Sequence, residues 1–79
     1  MKKTIFTPRH EIMCQALVAM REGAGLTQRD LARKFHREHS FISRIELGER
    51  RVDLVEFHAF CRACGVDPVS AAANLLRQF

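Results

Sequence analysis

From Thr7 onward, apolar residues recur at three- and four-residue spacing in five short stretches, each bounded by residues that start or stop a helix. The first carries Ile12, Ala16, Leu17 and Met20. Thr7 offers a capping hydroxyl ahead of Pro8, whose missing N–H costs nothing at a first helical position, and Gly23 with Gly25 ends the helix. Thr27 caps a second helix of about nine residues, with Asp30 in its first turn and Leu31, Ala32 and Phe35 inside. After a break at His36 and Arg37, the stretch from Glu38 to Leu47 turns Phe41, Ile42 and Ile45 inward and stops at Gly48. Asp53 and Glu56 frame a capping box for a fourth helix, whose buried stripe is expected to be Leu54, Phe57, Phe60, Cys61 and Cys64 up to Gly65. Asp67 and Pro68 open a fifth, in which Val69, Ala72, Ala73, Leu75, Leu76 and Phe79 exceed what one side of a small core needs. No run of alternating β-branched residues with a hairpin turn occurs, so the expected fold is all-α with five helices.

With 79 residues there is room for one domain, read as residues 8–79 behind an arm of residues 1–7, and none for a separate ligand-sensing domain. A content of 47% hydrophobic and 28% charged residues excludes a disordered chain. The formal charge of +4 gives a field that attracts polyanions. No apolar run approaches the roughly 20 residues that span a bilayer, and Met1 to Pro8 is too short for a secretory core, so a cytoplasmic protein with no membrane association is expected.

Cys14, Cys61 and Cys64 are read as thiols in a reducing compartment. The spacing of Cys61 and Cys64 suggests zinc or redox chemistry, but both fall on an inner face, and Cys14 and His58 are the other nearby candidates for the four ligands zinc needs. His10, His36, His39 and His58 show no metal-ligand spacing and no nucleophile with a base and an orienting group. No metal, no cofactor and no enzymatic activity are expected.

The second and third helices are joined by so few residues that they must cross steeply, leaving one face of the third outside. That face holds His39, Ser40, Ser43 and Arg44. A helix fits the major groove of B-DNA, where Arg44 can fork onto guanine O6 and N7 and Ser40 or His39 can add single contacts. Arg29, Arg33, Lys34, Arg37, Arg50 and Arg51 surround it with charge suited to phosphates, and Gln28 can offer its amide with the local backbone N–H groups. A solvated helix face is the plain alternative.

The segments Gly25-Leu26-Thr27-Gln28-Arg29-Asp30-Leu31-Ala32 and Ser40-Phe41-Ile42-Ser43-Arg44-Ile45-Glu46-Leu47-Gly48-Glu49-Arg50-Arg51 resemble the phage-repressor/Cro (Xre-type) helix-turn-helix family, from about Leu17 to Leu76. The resemblance implies a lambda-repressor-like fold with helices 2 and 3 as the helix-turn-helix. It implies that Gln28 clamps phosphate, that His39, Ser40 and Arg44 read bases, and that Arg21 and Glu46 form an ion pair tying helix 1 to the end of helix 3. Gly48, Arg50 and Arg51 then lie on a phosphate-gripping loop. Independently of the resemblance, Arg29 and Arg37 in the surrounding charge and Ser43 on the exposed face are expected as further phosphate contacts. Two positions depart from the pattern. His36 stands where glycine is usual, so a turn of different shape is expected, since only glycine enters left-handed backbone without strain. Glu38 stands where a small polar residue is usual, and either accepts from a cytosine N4 amine or discriminates against wrong sites.

The expected function is a DNA-binding transcriptional regulator, a homodimeric repressor on an inverted-repeat operator, with Val69, Ala72, Leu75, Leu76 and Phe79 at the dimer interface. Phage repressors, restriction controllers and antitoxin-type autoregulators all fit, so a toxin is one conceivable partner. The rival is an adaptor that uses the same fold to hold a protein. Residues 1–7 are expected to be a basic arm or an exchanged strand, with disorder as the plain alternative.

Overall fold

The computed structural model describes residues 7–79, so all but Thr7 of the expected arm lies outside the described residues. Five helices follow in order: α1 (Pro8–Gly23), α2 (Gln28–Lys34), α3 (His39–Glu46), α4 (Leu54–Ala63) and α5 (Pro68–Arg77). Among the described residues there is no strand, and no helix is long and apolar enough to cross a membrane.

Local chemistry sets the boundaries. The Thr7 hydroxyl accepts from the His10 N–H, and Asp67 accepts from the Ser70 N–H, each just ahead of a proline. Thr27 with Asp30 and Asp53 with Glu56 close full capping boxes, so orphan N–H groups at both helix starts are satisfied by neighbours three residues away. α2 stops at seven residues, shorter than its apolar spacing implied, because Phe35 and His36 already turn the chain.

His36 takes φ 55°, so the left-handed turn expected to be reshaped is kept with a histidine in it. The conformation is held by its surroundings: the N–H of His36 donates to Arg33 and that of Arg37 to Ala32, closing the end of α2. Gly48, buried and at φ 83°, makes the corresponding turn after α3.

The core lies where the inner faces converge. Leu17 of α1, Leu31 and Ala32 of α2, Phe41, Ile42 and Ile45 of α3, Phe57, Phe60 and Cys61 of α4 and Leu75 of α5 form one buried cluster. Phe35 leaves the end of α2 to pack its ring 4.9 Å from that of Phe60 and 5.7 Å from that of Phe41. Complete burial of a ring such as Phe60 contributes about 1.5–3 kcal/mol, so a handful of side chains carries much of a small domain's stability.

Two expectations about packing are corrected. Leu54, placed on the inner stripe of α4, is 79% exposed. It is the first residue of its helix, and the capping box turns that position outward beside Val55, 78% exposed. Leu75, assigned to a dimer interface, is 6% exposed and belongs to the core. Ala72 is also partly covered, leaving Val69, Leu76 and Phe79 as the exposed apolar residues of α5.

Candidate nucleic-acid interface

α3 is held from behind and bare in front. Phe41, Ile42 and Ile45 are buried, whereas Glu38, His39, Ser40 and Arg44 are exposed and Ser43 is half-covered. The opposition follows from a 3.6-residue period that alternates apolar and polar residues over only eight positions. α2 packs directly against α3 through a four-residue turn, and α1 also packs against α3. Glu38 is the N-cap residue of α3 but makes no side-chain cap hydrogen bond.

The first turns of α2 and α3 are joined by a continuous polar chain. Arg21 of α1 donates from Nε and Nη2 to Glu46 at 2.6 and 3.1 Å, and from Nη1 to the Leu26 carbonyl at 2.9 Å. Glu46 Oε1 also accepts from Gln28 Nε2 at 2.7 Å, and Gln28 Oε1 lies 2.8 Å from His39 Nε2. The side chains of Arg21 and Glu46 are only 12% and 6% exposed, so this is a mostly desolvated ion pair whose partners depend on one another. The bond to Glu46 holds the Arg21 guanidinium above its usual pKa despite the opposing effect of burial.

Arg50, half-buried, is engaged with partners in the protein itself. Its Nη1 and Nη2 donate to the two oxygens of Glu56 at 3.1 and 2.9 Å, and Nη1 also reaches the Arg51 carbonyl. Its guanidinium carbon sits 4.8 Å from the Phe41 ring centroid, while that of Arg37 lies 4.0 Å from the same ring. The resemblance gave Arg50 a phosphate role; the geometry makes it first a brace between the loop, α3 and the capping box of α4. Sequence reading missed this brace, although a glutamate already recognised as a capping residue was its available signal. Arg29, Arg44 and Arg51 are exposed, and the Ser43 hydroxyl donates back to the Ser40 carbonyl at 3.3 Å.

His10, which sequence reading passed over, is buried on α1 with a hydrogen bond to the backbone of Gly48. It therefore ties α1 to the turn that follows α3. Burial lowers its pKa, as does the charge of Arg51, while the Gly48 bond opposes them. Cys14 donates to the Ile45 carbonyl at 3.4 Å, and burial is the main influence raising the pKa of Cys14, Cys61 and Cys64, so all three favour the thiol. No group of three or more candidate metal ligands occurs among the described residues.

Two helices joined by a tight turn, the second braced behind and exposed along a polar face, define a helix-turn-helix domain. The family described as a helix-turn-helix domain matches residues 15–73. Among solved structures, an XRE-family like protein from Pseudomonas syringae pv. tomato str. DC3000 is 38% identical, with a TM-score of 0.82 over 89% of this chain and 85% of that one. The chain belongs to the Xre-type helix-turn-helix family. The clp gene regulator ClgR from Corynebacterium glutamicum is 25% identical, with a TM-score of 0.72 over 91% of this chain and 81% of that one. A mutant of the restriction-modification controller protein C.Esp1396I shares the fold, at 23% identity and a TM-score of 0.80 over 94% of each chain. No curated protein matches the chain.

Proposed function

We propose that the protein is a sequence-specific, double-stranded DNA-binding transcriptional regulator that inserts α3 into the major groove. The observation that carries this reading is the exposed row of His39, Ser40 and Arg44 on a short helix whose opposite face is locked into the core. Arg44 forks onto a guanine, His39 and Ser40 make single base contacts, and Glu38, unused as a cap, faces the same groove. Gln28, Arg29, Arg37, Ser43 and Arg51 contact phosphates and set register, while Gly48, buried with its N–H on the Ile45 carbonyl, shapes the turn and does not itself reach a phosphate. Arg50 adds charge to that surface while bracing it. Membership of the Xre-type family supports regulation of transcription, and the regulator ClgR is a relative by fold and sequence.

The regulator acts as a homodimer, setting two copies of α3 about 34 Å apart in successive major grooves of an inverted repeat and repressing by occlusion. Its two-fold contact is the exposed apolar surface of Val69, Leu76 and Phe79, extended by Leu54 and Val55 at the start of α4. It works in the cytoplasm, without a cofactor.

Selection from a random pool of double-stranded DNA tests the reading. Convergence on an inverted repeat is expected; a pool that never converges would replace this reading with a protein-binding adaptor.

A further inference from the structure

Leu47, the C-cap residue of α3, keeps helical backbone angles, φ -80° and ψ -5°, and its N–H donates to the Ser43 carbonyl at 2.9 Å. The next two residues fold the chain back onto α3: the Gly48 N–H donates to the Ile45 carbonyl and the Glu49 N–H to the Arg44 carbonyl, with Gly48 in left-handed backbone. The direction of the Leu47 side chain is therefore set by the helix and not by the loop after it.

From Ser40 to Leu47 is almost two turns, so Leu47 stands within about 20° of Ser40 around the axis and about 10 Å further along it. Ser43 and Arg44 flank that line, about 40° to one side of Leu47 and about 60° to the other. Phe41, Ile42 and Ile45, all buried, point the opposite way. Leu47 thus lies near the midline of the outward face, and it is 65% exposed. Among the described residues, the other large exposed hydrophobics are Leu54, Val55, Val69, Leu76 and Phe79, all in α4, in α5 or at its end. The apolar groove lined by Met13, Leu54, Phe57, Leu75, Leu76 and Phe79 does not include Leu47. Leu47 stands apart from that apolar surface and shares its face with Ser40, Ser43 and Arg44.

When α3 enters the major groove, Leu47 leaves water with it. Against a phosphate oxygen or a polar base edge, a leucine strips a polar group of water and returns no hydrogen bond, which costs free energy. The groove offers one apolar group on its base edges, the C5-methyl of thymine. We propose that Leu47 determines specificity at one position of each half-site by covering the C5-methyl of a thymine. The inference rests on the DNA-binding reading above and adds an apolar determinant to a face whose other contacts are hydrogen bonds.

The test uses the whole protein and the selected duplex with each thymine in turn replaced by deoxyuridine, which removes the methyl and keeps every hydrogen-bonding atom. The readout is Kd for the wild type and for Leu47→Ala at one salt concentration. Burial of one methyl corresponds to about a fourfold change in Kd, so the wild type is expected to lose about three- to fivefold at one thymine per half-site. Leu47→Ala is expected to melt like the wild type, since the side chain is exposed, to bind the selected duplex more weakly, and to ignore deoxyuridine at that same position. Its responses at the other thymines are expected to match those of the wild type, so that the coupling joins one side chain to one methyl. Equal responses of the two proteins at every thymine, a selected site without thymine, or wild-type affinity in Leu47→Ala would overturn the inference and leave the DNA-binding reading standing. Failure to select any duplex would overturn that reading, and the inference with it.

Discussion

Arg21 and Glu46, 25 residues apart in sequence, meet through two hydrogen bonds of 2.6 and 3.1 Å at the point where α1 supports the end of α3. Removing either partner strands a mostly buried charge. Arg21→Ala or Glu46→Ala is expected to cost about 3 kcal/mol of stability, while an apolar pair such as Arg21→Met with Glu46→Leu recovers much of it, as in other buried pairs. Urea denaturation of the two single variants and the double variant checks this; equal losses in all three would show that the pair's mutual dependence has been overstated.

Arg44 and Arg50 should separate cleanly. Arg44 is exposed at the end of α3, so Arg44→Ala is expected to leave the melting temperature unchanged and cost roughly 1–3 kcal/mol of specific binding at one base position. Arg50→Ala breaks the bonds to Glu56 and the contact with Phe41, and is expected to lower stability by about 1 kcal/mol, a figure kept small because the pair is partly solvated. Thermal melts beside binding curves distinguish the two. A melt of Arg50→Ala that matches the wild type would return Arg50 to a purely phosphate-contacting role.

How far these roles were readable from the sequence depends on their range. Four of the five helix starts were visible as caps, because Thr7, Thr27, Asp53 and Asp67 act on N–H groups three residues ahead, whereas α3 begins at Glu38 without a side-chain cap. The outward face of α3 followed from its period, and the Arg21 and Glu46 pairing from resemblance. The bonds of Gln28 to Glu46 and to His39 span 18 and 11 residues and depend on how α2 crosses α3, which no local pattern encodes. Leu54 and Leu75 were misplaced because periodicity identifies an apolar stripe without saying whether a short helix's first turn reaches the core or which edge of the stripe its neighbour covers.

His36 in left-handed backbone carries a steric cost that glycine does not. His36→Gly is expected to stabilise the domain by up to about 1 kcal/mol after its own entropy cost, and His36→Val to destabilise it by about 1–2 kcal/mol. Chemical denaturation reads both; destabilisation by glycine would mean that the imidazole makes a contact worth more than the strain.

Acid should weaken the fold through His10. Its folded pKa is lowered from the ordinary 6.5, so the unfolded chain takes up this proton first. The contribution of the neutral ring is present above about pH 6.5 and is lost as pH falls from there through the lowered folded value. Denaturation midpoints of the wild type are expected to drop between about pH 7 and pH 5 more steeply than those of His10→Phe. Parallel pH profiles would remove His10 from the account.

Assembly tests the apolar surface. Leu76→Glu is expected to leave the fold intact, since Leu76 is 61% exposed, and to shift the protein from dimer to monomer on sizing. Unchanged dimers would move the two-fold contact elsewhere, and a wild-type monomer would reserve that surface for a different chain.

The central claim, that α3 reads DNA sequence, is tested most directly by titrating the wild-type protein against its selected duplex and a scrambled duplex of equal length at a fixed, near-physiological salt concentration. A preference of at least about a thousandfold for the selected duplex is expected, falling by about ten- to a hundredfold in Arg44→Ala. Equal affinity for both duplexes, or a preference that Arg44→Ala leaves untouched, would contradict it.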